Sequence, residues 1–377
     1  MERVKNSDII VGEPILWDVY DDKGELLLQK GYVIESATQV KTLVDRGLFH
    51  IETLMDSGSA EQVKPTISPF EILVGVQKYL SCLFNGLNTE LTNNVDIKIL
   101  NLCKTIQEAC EKDTDASLSV IFLKKSYPYT IRHPVHIAIV CEIISKHLKW
   151  KKEDRLSLLA AALTANIAMI NLQEKLFSQK EPLSAEQRQH IYEHPQRGVE
   201  ILRKAGVTNN LWLDAVFYHH EAIDGSGYPS GLKASAIPIR SRILAVGDHY
   251  CAGVSNREYR TALSPTEAMR EIYLNSGKRV ESEIVNMCVR LIGIYPPGSF
   301  VRLVNDEIAV VTQRGSKAHT PVVHSIVRAN GTLFLTPERR DCTHEEFAVK
   351  ELIISDKDKL DINFHQLWGY SDMLVGK

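Results

Sequence analysis

The sequence lacks several features that would assign a protein to a large functional class. Its 44 basic and 47 acidic residues nearly balance, at a net charge of −3, and no block of Lys and Arg stands out. Charge alone therefore predicts no nucleic-acid partner. The seven cysteines are odd in number and show no Cys-x-x-Cys spacing, which favours reduced thiols in a cytosolic protein. Residues 1–8 are polar, without a signal-peptide core, and no apolar run approaches the ~20 residues that cross a bilayer. We therefore expect a cytoplasmic protein without a membrane span.

The N-terminal part of the chain has the pattern of a small separate module. The 377 residues are enough for two or three domains. Residues 1–55 predict a small α+β module, with a hairpin through the turn at Asp21–Gly24 and a short helix capped by Ser36. Residues 56–69 contain Ser, Gly and two prolines, and they predict a linker.

The rest of the chain predicts a large helical domain followed by strands. Residues 70–297 show helical periodicity, and Ser184 with Gln187 has the spacing of a capping box at a helix start. Residues 298–377 contain short β-type runs and a hairpin turn at Asn330–Gly331, so they predict a β-rich module. The predicted fold class is mainly α.

The most chemically distinctive stretch is residues 219–232, where two histidines, a glutamate and three glycines fall within 14 residues. His219 and His220 are adjacent and cannot both be apolar core, and the glycines let the backbone approach a ligand closely. The stretch therefore predicts a metal site covered by a loop. Three further residues with metal-ligating side chains stand in distinctive settings, namely His133, His194 and Asp248. Any one of these residues alone more often has a hydrogen-bonded structural role than a metal-binding one. The adjacent pair of His219 and His220 instead favours metal binding.

The segment from His219 to Leu232 resembles the HD-GYP family, a subgroup of the HD-domain metal-dependent phosphohydrolases, and matches its second signature throughout. His194-Pro195-x-x-Gly198 is similar to the family pattern before that signature, and residues 245–250 and 257–260 are similar to the pattern after it. The resemblance covers about residues 125 to 295. It implies an all-helical HD-type domain in a bacterial signalling protein, between the two small terminal modules.

The resemblance also implies roles for individual residues. In that family two, sometimes three, iron-type metals activate a water or hydroxide that attacks a phosphodiester of cyclic di-GMP, which a metal pair favours by lowering the pKa of a bridging water. The implied metal ligands are His133, His194, His219, His220 and Asp248. The implied nucleotide contacts are Gly225, Gly227, Tyr228, Pro229, Arg257 and Arg260. The two arginines suit phosphate, although they could instead be solvated helix charges, and Tyr228 could simply pack the loop.

The first signature of the family is missing from this chain. Its pattern is His-Asp with Lys three residues after the Asp, and the spacing back from His194 places Ala165-Asn166 and Met169 at those positions. No His-Asp dipeptide occurs anywhere in the sequence, so a shifted alignment does not restore it. Ala165 offers no ligand atom, the Asn166 amide is neutral where a carboxylate would bridge two cations, and Met169 removes a cation from the phosphate. We expect no two-metal centre, and at most one iron or manganese ion.

The sequence therefore predicts a degenerate member of the family, catalytically inactive or weak, which acts by binding cyclic di-GMP, a partner protein or both. Two alternatives stay open. One is an active metal-dependent cyclic di-GMP phosphodiesterase with a reduced metal site, and the other is an interaction scaffold whose terminal modules carry the function. The expected partners are cyclic di-GMP and other signalling proteins. The sequence leaves open the formation of a homo-oligomer, the signal sensed and the identity of any metal.

Overall fold

The computed structural model describes residues 67–86, 94–123, 127–255, 262–353 and 363–370 as continuous segments. Before residue 67 it describes short pieces at 2–3, 19–20, 26–28, 36–45 and 49–50, and the single residues 11, 32 and 34. The chain falls into two compact units, one within residues 1–66 and the other within residues 67–370.

The first unit is a small α+β arrangement, as predicted. Its strands are β1 (Glu2–Arg3), β2 (Val19–Tyr20), β3 (Leu26–Leu28) and β4 (Phe49–His50), all antiparallel in the order β1-β4-β2-β3. Val19 lies opposite Leu28, which matches the predicted hairpin, although the tip of that hairpin lies outside the described residues. Helix α1 (Ala37–Asp45) begins after Ser36, whose hydroxyl accepts a hydrogen bond from the Gln39 backbone N–H at 3.3 Å. Most of the predicted linker also lies outside the described residues.

The second unit is mainly helical, which confirms the predicted fold class. Its α-helices are α2 (Pro69–Gly86), α3 (Val95–Lys112), α4 (Thr114–Ser119), α5 (Tyr129–His147), α6 (Lys152–Thr164), α7 (Ile170–Ser178), α8 (Ala185–Lys204), α9 (Asn210–Phe217), α10 (Ile239–Gly253), α11 (Pro265–Leu274), α12 (Ser282–Ile292) and α13 (Phe364–Leu367). Single-turn 3-10 helices lie at Ile167–Met169, Ala234–Ala236 and Glu345–Phe347. The predicted capping box is present at the start of α8, where Ser184 and Gln187 each accept a hydrogen bond from the other's backbone N–H.

Helix α5 lies at the centre of the helical part. Its residues from Tyr129 to Ser145 are all buried, as expected for a helix with neighbours on every side. It packs against α2, α3, α6 and α10. A functional side chain on α5 is therefore held by the main core of the protein, and His133 lies in its second turn.

The segment Lys152–Ser178 is more apolar than the sequence analysis allowed. It is long and apolar enough to cross a membrane by length and composition, because the apolar residues continue from α6 through the 3-10 turn into α7. However, 61% of its apolar window is buried inside the protein, and α6 packs against α3, α5 and α9. This burial is typical of a core helix, and the lack of a membrane span stays a prediction.

The C-terminal part of the second unit is a five-stranded antiparallel sheet. Its strands are β5 (Phe300–Leu303), β6 (Ile308–Gln313), β7 (Val322–Val327), β8 (Leu333–Asp341) and β9 (Val349–Ile353), in the order β8-β7-β6-β5-β9. The sheet contacts the helices directly: Arg314 pairs with Asp115 of α4, and a Cβ on Gly298 would lie 2.7 Å from the Ser119 carbonyl oxygen. The sheet and the helices belong to one compact unit, so a separately folding C-terminal module stays a prediction.

Candidate functional site: a histidine cluster at the base of a pocket

Three of the predicted histidines converge where the middle of α8 meets the end of α9. His194 lies in α8, and His219 and His220 follow the last residues of α9. One nitrogen from each of the three rings lies within 4.8 Å of the others, and His194 and His219 are buried. Two of the rings come from adjacent residues, so the sequence itself places them together. The third arrives only through the packing of α8 against α9.

The hydrogen bonds of His194 and His219 show that the cluster suits a cation. The Nδ1 atom of His194 lies 2.5 Å from the Ile191 carbonyl oxygen, and that of His219 lies 2.6 Å from the Val216 carbonyl oxygen. Each Nδ1 must therefore carry the proton, which leaves a lone pair on each Nε2 of a neutral ring. These two Nε2 atoms lie 3.3 Å apart.

A proton between the two Nε2 atoms would require one imidazole to be cationic. Burial lowers the pKa of His194 to about 3, with a further contribution from His219, and burial also lowers the pKa of His219. Near neutral pH both rings are therefore neutral, and two lone pairs face each other. A metal ion bound by both nitrogens would fill that gap, and backbone carbonyls that fix the tautomer of a ligating histidine are a common support of such sites. The donors present fit one metal ion.

His133 and Asp248 form a separate pair beside the cluster. His133 Nε2 donates a hydrogen bond to the Asp248 Oδ1 atom of α10 at 2.7 Å. Burial alone would raise the pKa of Asp248, but this hydrogen bond and the charge of His133 hold it well below its ordinary value. The Nδ1 atom of His133 is buried without a hydrogen-bond partner in the described part of the chain. The five predicted ligands thus divide into a cluster of three and a pair.

The glycine-rich loop after His220 is held in place by Glu221. This carboxylate is 6% exposed and accepts hydrogen bonds from the backbone N–H groups of Ser230, at 2.6 Å, and Leu232, at 2.8 Å. Gly227 is required for a close approach, because a Cβ there would lie 2.2 Å from the Ala222 backbone nitrogen. Glu221 therefore organises the loop, a role that the sequence analysis did not assign to it.

The structure describes four of the six residues predicted to contact nucleotide. Tyr228 lines the pocket described below, and its ring stacks on His220 with ring centroids 4.8 Å apart. Gly225 adopts a φ of +82°, which favours glycine, and the peptide bond between Tyr228 and Pro229 is cis. Two predicted contacts, Arg257 and Arg260, lie outside the described residues. The nucleotide-binding roles of all six stay predictions.

A pocket of about 470 Å³ opens above the histidines. His133, His194, His220 and Asp248 line it together with residues of α7 and of the loop between α7 and α8. The pocket is therefore formed by elements that are distant in sequence. Its volume lies within the range of about 300–1,000 Å³ that is typical of small-molecule sites.

Two rows of stacked rings extend outward from the histidines. In the first row, Tyr129 stacks on His133 at 4.7 Å and on Phe177 at 5.4 Å. In the second row, Tyr228 stacks on His220 at 4.8 Å and on Tyr192 at 5.0 Å. Tyr129, Phe177 and Tyr192 were not predicted from the sequence. The four-residue spacing of Tyr129 and His133 on one helix could have indicated that their rings are neighbours.

The residues predicted to stand at the positions of the missing signature lie at and beside the pocket; their correspondence to that signature stays a prediction. Asn166 and Met169 line the pocket together with His194 and His220. Ala165 is 1% exposed and belongs to the main hydrophobic core. The break between α6 and α7 at residues 165–169 therefore presents an amide and a thioether to the pocket.

A comparison with known protein families matches much of the helical part. Residues 118–284 match the sequence model of the HD domain. The predicted resemblance to HD-domain proteins is confirmed at that level.

Two curated relatives of the chain are named as cyclic di-GMP phosphodiesterases. Cyclic di-GMP phosphodiesterase PA4108 of Pseudomonas aeruginosa is 29% identical over 224 residues, which is 59% of this chain and 54% of the relative. A cyclic di-GMP phosphodiesterase of Thermotoga maritima is 31% identical over 163 residues, which is 43% of this chain and 44% of the relative. The chain spans about half the length of the curated relatives it matches.

A solved structure supports the fold. Bd1817, an HDG"Y"P protein from Bdellovibrio bacteriovorus, aligns with a TM-score of 0.50 at 15% identity, over 76% of this chain and 97% of that chain. At this level of identity the likeness concerns the fold alone. The predicted metal ligands, the cytoplasmic localisation and the homo-oligomer stay predictions.

Proposed function

We propose that this chain is a cyclic di-GMP signalling protein whose pocket binds the nucleotide but hydrolyses it slowly or not at all. The observation that carries the proposal is the position of Asn166 and Met169. Both line the pocket that also contains His194 and His220, where the family pattern has a carboxylate and a lysine. The relatives named as cyclic di-GMP phosphodiesterases support this nucleotide as the ligand.

The acidic residues of the pocket argue against a pair of metal ions. In the part of the chain that the structure describes, Asp248 and Glu181 are the carboxylates that line it, and Asp248 already accepts a hydrogen bond from His133. Two cations held close together require an anion between them, and the neutral amide of Asn166 does not supply that charge. Without a metal pair, the clamp on both oxygens of an in-line displacement is lost.

One metal ion of the iron or manganese type remains compatible with the site, held by His194, His219 and His220. When bound, such an ion polarises a phosphate oxygen or lowers the pKa of a coordinated water. The protein's own contribution is positional. The Ile191 and Val216 carbonyls hold two of the rings in one tautomer.

The two aromatic rows support a nucleotide as the ligand. Stacking of a base on an aromatic side chain contributes about 1–3 kcal/mol and tolerates any base, because every base has a π-face. Phe177 and Tyr192 are the outer rings of the two rows, and Tyr192 is 49% exposed. Tyr129 and Phe177 of the first row and Tyr228 of the second line the same pocket, which is consistent with a ligand that carries two bases.

Calorimetry on the full-length chain, paired with a chromatographic turnover assay and metal analysis, tests the proposal. We expect cyclic di-GMP to bind without measurable conversion to its linear form. Phe177→Ala should weaken binding by about tenfold or more, because Phe177 is an outer ring that lines the pocket and a stacking contact of about 1–3 kcal/mol is lost. Tyr273→Ala is the matched control, because Tyr273 is 57% exposed on α11 and does not line the pocket. Absence of binding, with or without iron or manganese, would remove the nucleotide from the proposal.

A second candidate is an active phosphodiesterase with a reduced metal site. The observation that favours it is the cluster of His194, His219 and His220, since a single metal can still activate water. Robust turnover of cyclic di-GMP that His219→Ala abolishes would establish this candidate instead. The triple reversion Ala165→His, Asn166→Asp and Met169→Lys tests the cause directly, because it should raise turnover only if the missing signature is what limits the chain.

A further inference from the structure

Among the described residues that line the pocket, one is a lysine or arginine, and it does not stand at the family position. Met169 stands where the family pattern has lysine, and its thioether offers no charge to a phosphate. Lys180, in the loop between α7 and α8, also lines the pocket. A nucleotide carries its negative charge on phosphate, so its most favourable position in the pocket depends on where this cation is.

The loop that carries Lys180 is fixed by side-chain hydrogen bonds. Gln179 and Gln187 exchange two of them, with Gln179 Nε2 donating to Gln187 Oε1 at 3.2 Å and Gln187 Nε2 donating to Gln179 Oε1 at 2.7 Å. Gln179 Nε2 also donates to the Glu181 carbonyl oxygen at 3.0 Å. Gln187 belongs to the capping box of α8, where its Oε1 atom accepts from the Ser184 backbone N–H at 2.9 Å. The start of a stable helix therefore anchors the residue immediately before Lys180.

The surroundings of Lys180 within the pocket are largely apolar. Leu176 and Phe177 of α7, Leu183 of the same loop and Ile191 of α8 line the same space. Lys180 itself is exposed, so water and salt screen part of its attraction to a phosphate, and the apolar walls limit that screening on the pocket side. The same wall offers a surface to a base, as argued above for Phe177.

Glu181 is the opposing charge in this part of the pocket. It follows Lys180 directly and also lines the pocket. A phosphate close to Lys180 is repelled by this carboxylate, so removal of the Glu181 charge must act in the opposite direction to removal of the Lys180 charge. Removal of the Lys180 charge should therefore weaken nucleotide binding, and removal of the Glu181 charge should strengthen it.

We propose that Lys180 contacts a nucleotide phosphate in this pocket, in place of the lysine that the family pattern has at the position of Met169. The nucleotide phosphate then lies towards the α7–α8 loop. The inference rests on the proposed function, since it takes the ligand to be cyclic di-GMP.

Calorimetry with cyclic di-GMP on full-length variants, at low and at high ionic strength, tests the inference. Lys180→Met should weaken binding by about tenfold, equivalent to about 1.4 kcal/mol, and should reduce the loss of affinity caused by salt. Lys180→Arg should keep most of the affinity, and Glu181→Gln should tighten binding. Lys175→Met is the matched control, because Lys175 lies on the exposed face of α7 and does not line the pocket. Thermal melting of each variant checks that it is folded.

The outcomes separate this inference from the proposed function. If the wild-type chain does not bind cyclic di-GMP, the proposed function fails and the inference fails with it. If the wild-type chain binds but Lys180→Met binds equally well, or loses no more affinity than Lys175→Met, only the inference is overturned. Weaker binding of Glu181→Gln would likewise overturn it, because the phosphate would then not be near this part of the loop.

Discussion

The carboxylate of Glu221 should hold the glycine-rich loop closed, and its loss should open that loop without unfolding the protein. Glu221 accepts two backbone hydrogen bonds, from Ser230 at 2.6 Å and from Leu232 at 2.8 Å. Glu221→Gln keeps one carbonyl oxygen but places an amide N–H group against the second backbone donor. A hydrogen bond to a charged group contributes about 1.5–3 kcal/mol, so we expect local opening of the loop to become easier by about that amount.

Hydrogen exchange measured by mass spectrometry on the peptide that spans residues 224–233 is the appropriate assay, because a global unfolding free energy is poorly defined for a chain of several parts. Since 1.4 kcal/mol is a factor of ten, exchange at Ser230 and Leu232 should be about ten- to a hundredfold faster in Glu221→Gln. Glu200→Gln, an exposed change on α8, is the control and should leave this peptide unchanged. Equal exchange in Glu221→Gln and in the wild type would refute the reasoning, and the loop would then be held by other contacts.

Three further predictions concern the site, the core and the sheet. Gly227→Ala should disrupt the loop and lower the metal content of the purified protein, since its Cβ would lie 2.2 Å from a backbone nitrogen. Thr164→Val should destabilise the helical part by about 1–3 kcal/mol in urea unfolding, because it leaves the buried Trp212 Nε1–H without the Thr164 hydroxyl that accepts it at 2.8 Å; an unchanged midpoint would contradict this. Partial burial would raise the pKa of Glu307, but its hydrogen bonds, first among them those from Arg340, hold that pKa below its ordinary value. Ionised Glu307 therefore stabilises the fold fully above the ordinary pKa of a glutamate. This contribution is lost as the pH falls through the lowered pKa of Glu307. The melting temperature of Glu307→Gln should therefore fall less on acidification than that of the wild type.

The sequence was sufficient for features that depend on neighbours along the chain. The capping box of Ser184 and Gln187 forms within one helical turn, and the pair His219 and His220 brings its own two rings together. The break at Asn166 could be placed because the family spacing counts residues and not contacts. In each case the relevant atoms are fixed by a few consecutive residues, so their geometry follows from local rules.

The remaining parts of the site depend on how distant helices meet, and the sequence did not show them. Phe177 reaches the pocket only because α7 turns back across α5, where Tyr129 meets its ring. Lys180 is an ordinary surface lysine in the sequence, and nothing in its neighbours along the chain indicates that it lines the pocket. The division of the five predicted ligands into a cluster and a pair was also invisible, because it depends on the direction of each ring. Such directions are set by packing in the core and not by residue spacing.

The walls of the pocket do not depend on the missing His-Asp signature. Ala165 lies in the hydrophobic core with 1% of its surface exposed, and the loop after His220 is held by Glu221. Asn166 and Met169 present no charge to the pocket, while the elements that enclose it are held by other contacts. Stacking and enclosure of a nucleotide do not need a metal pair, so the proposed binding does not depend on an anion between metals. The proposed phosphate contact depends instead on a cation, and Lys180 is the lysine among the described residues of the pocket wall.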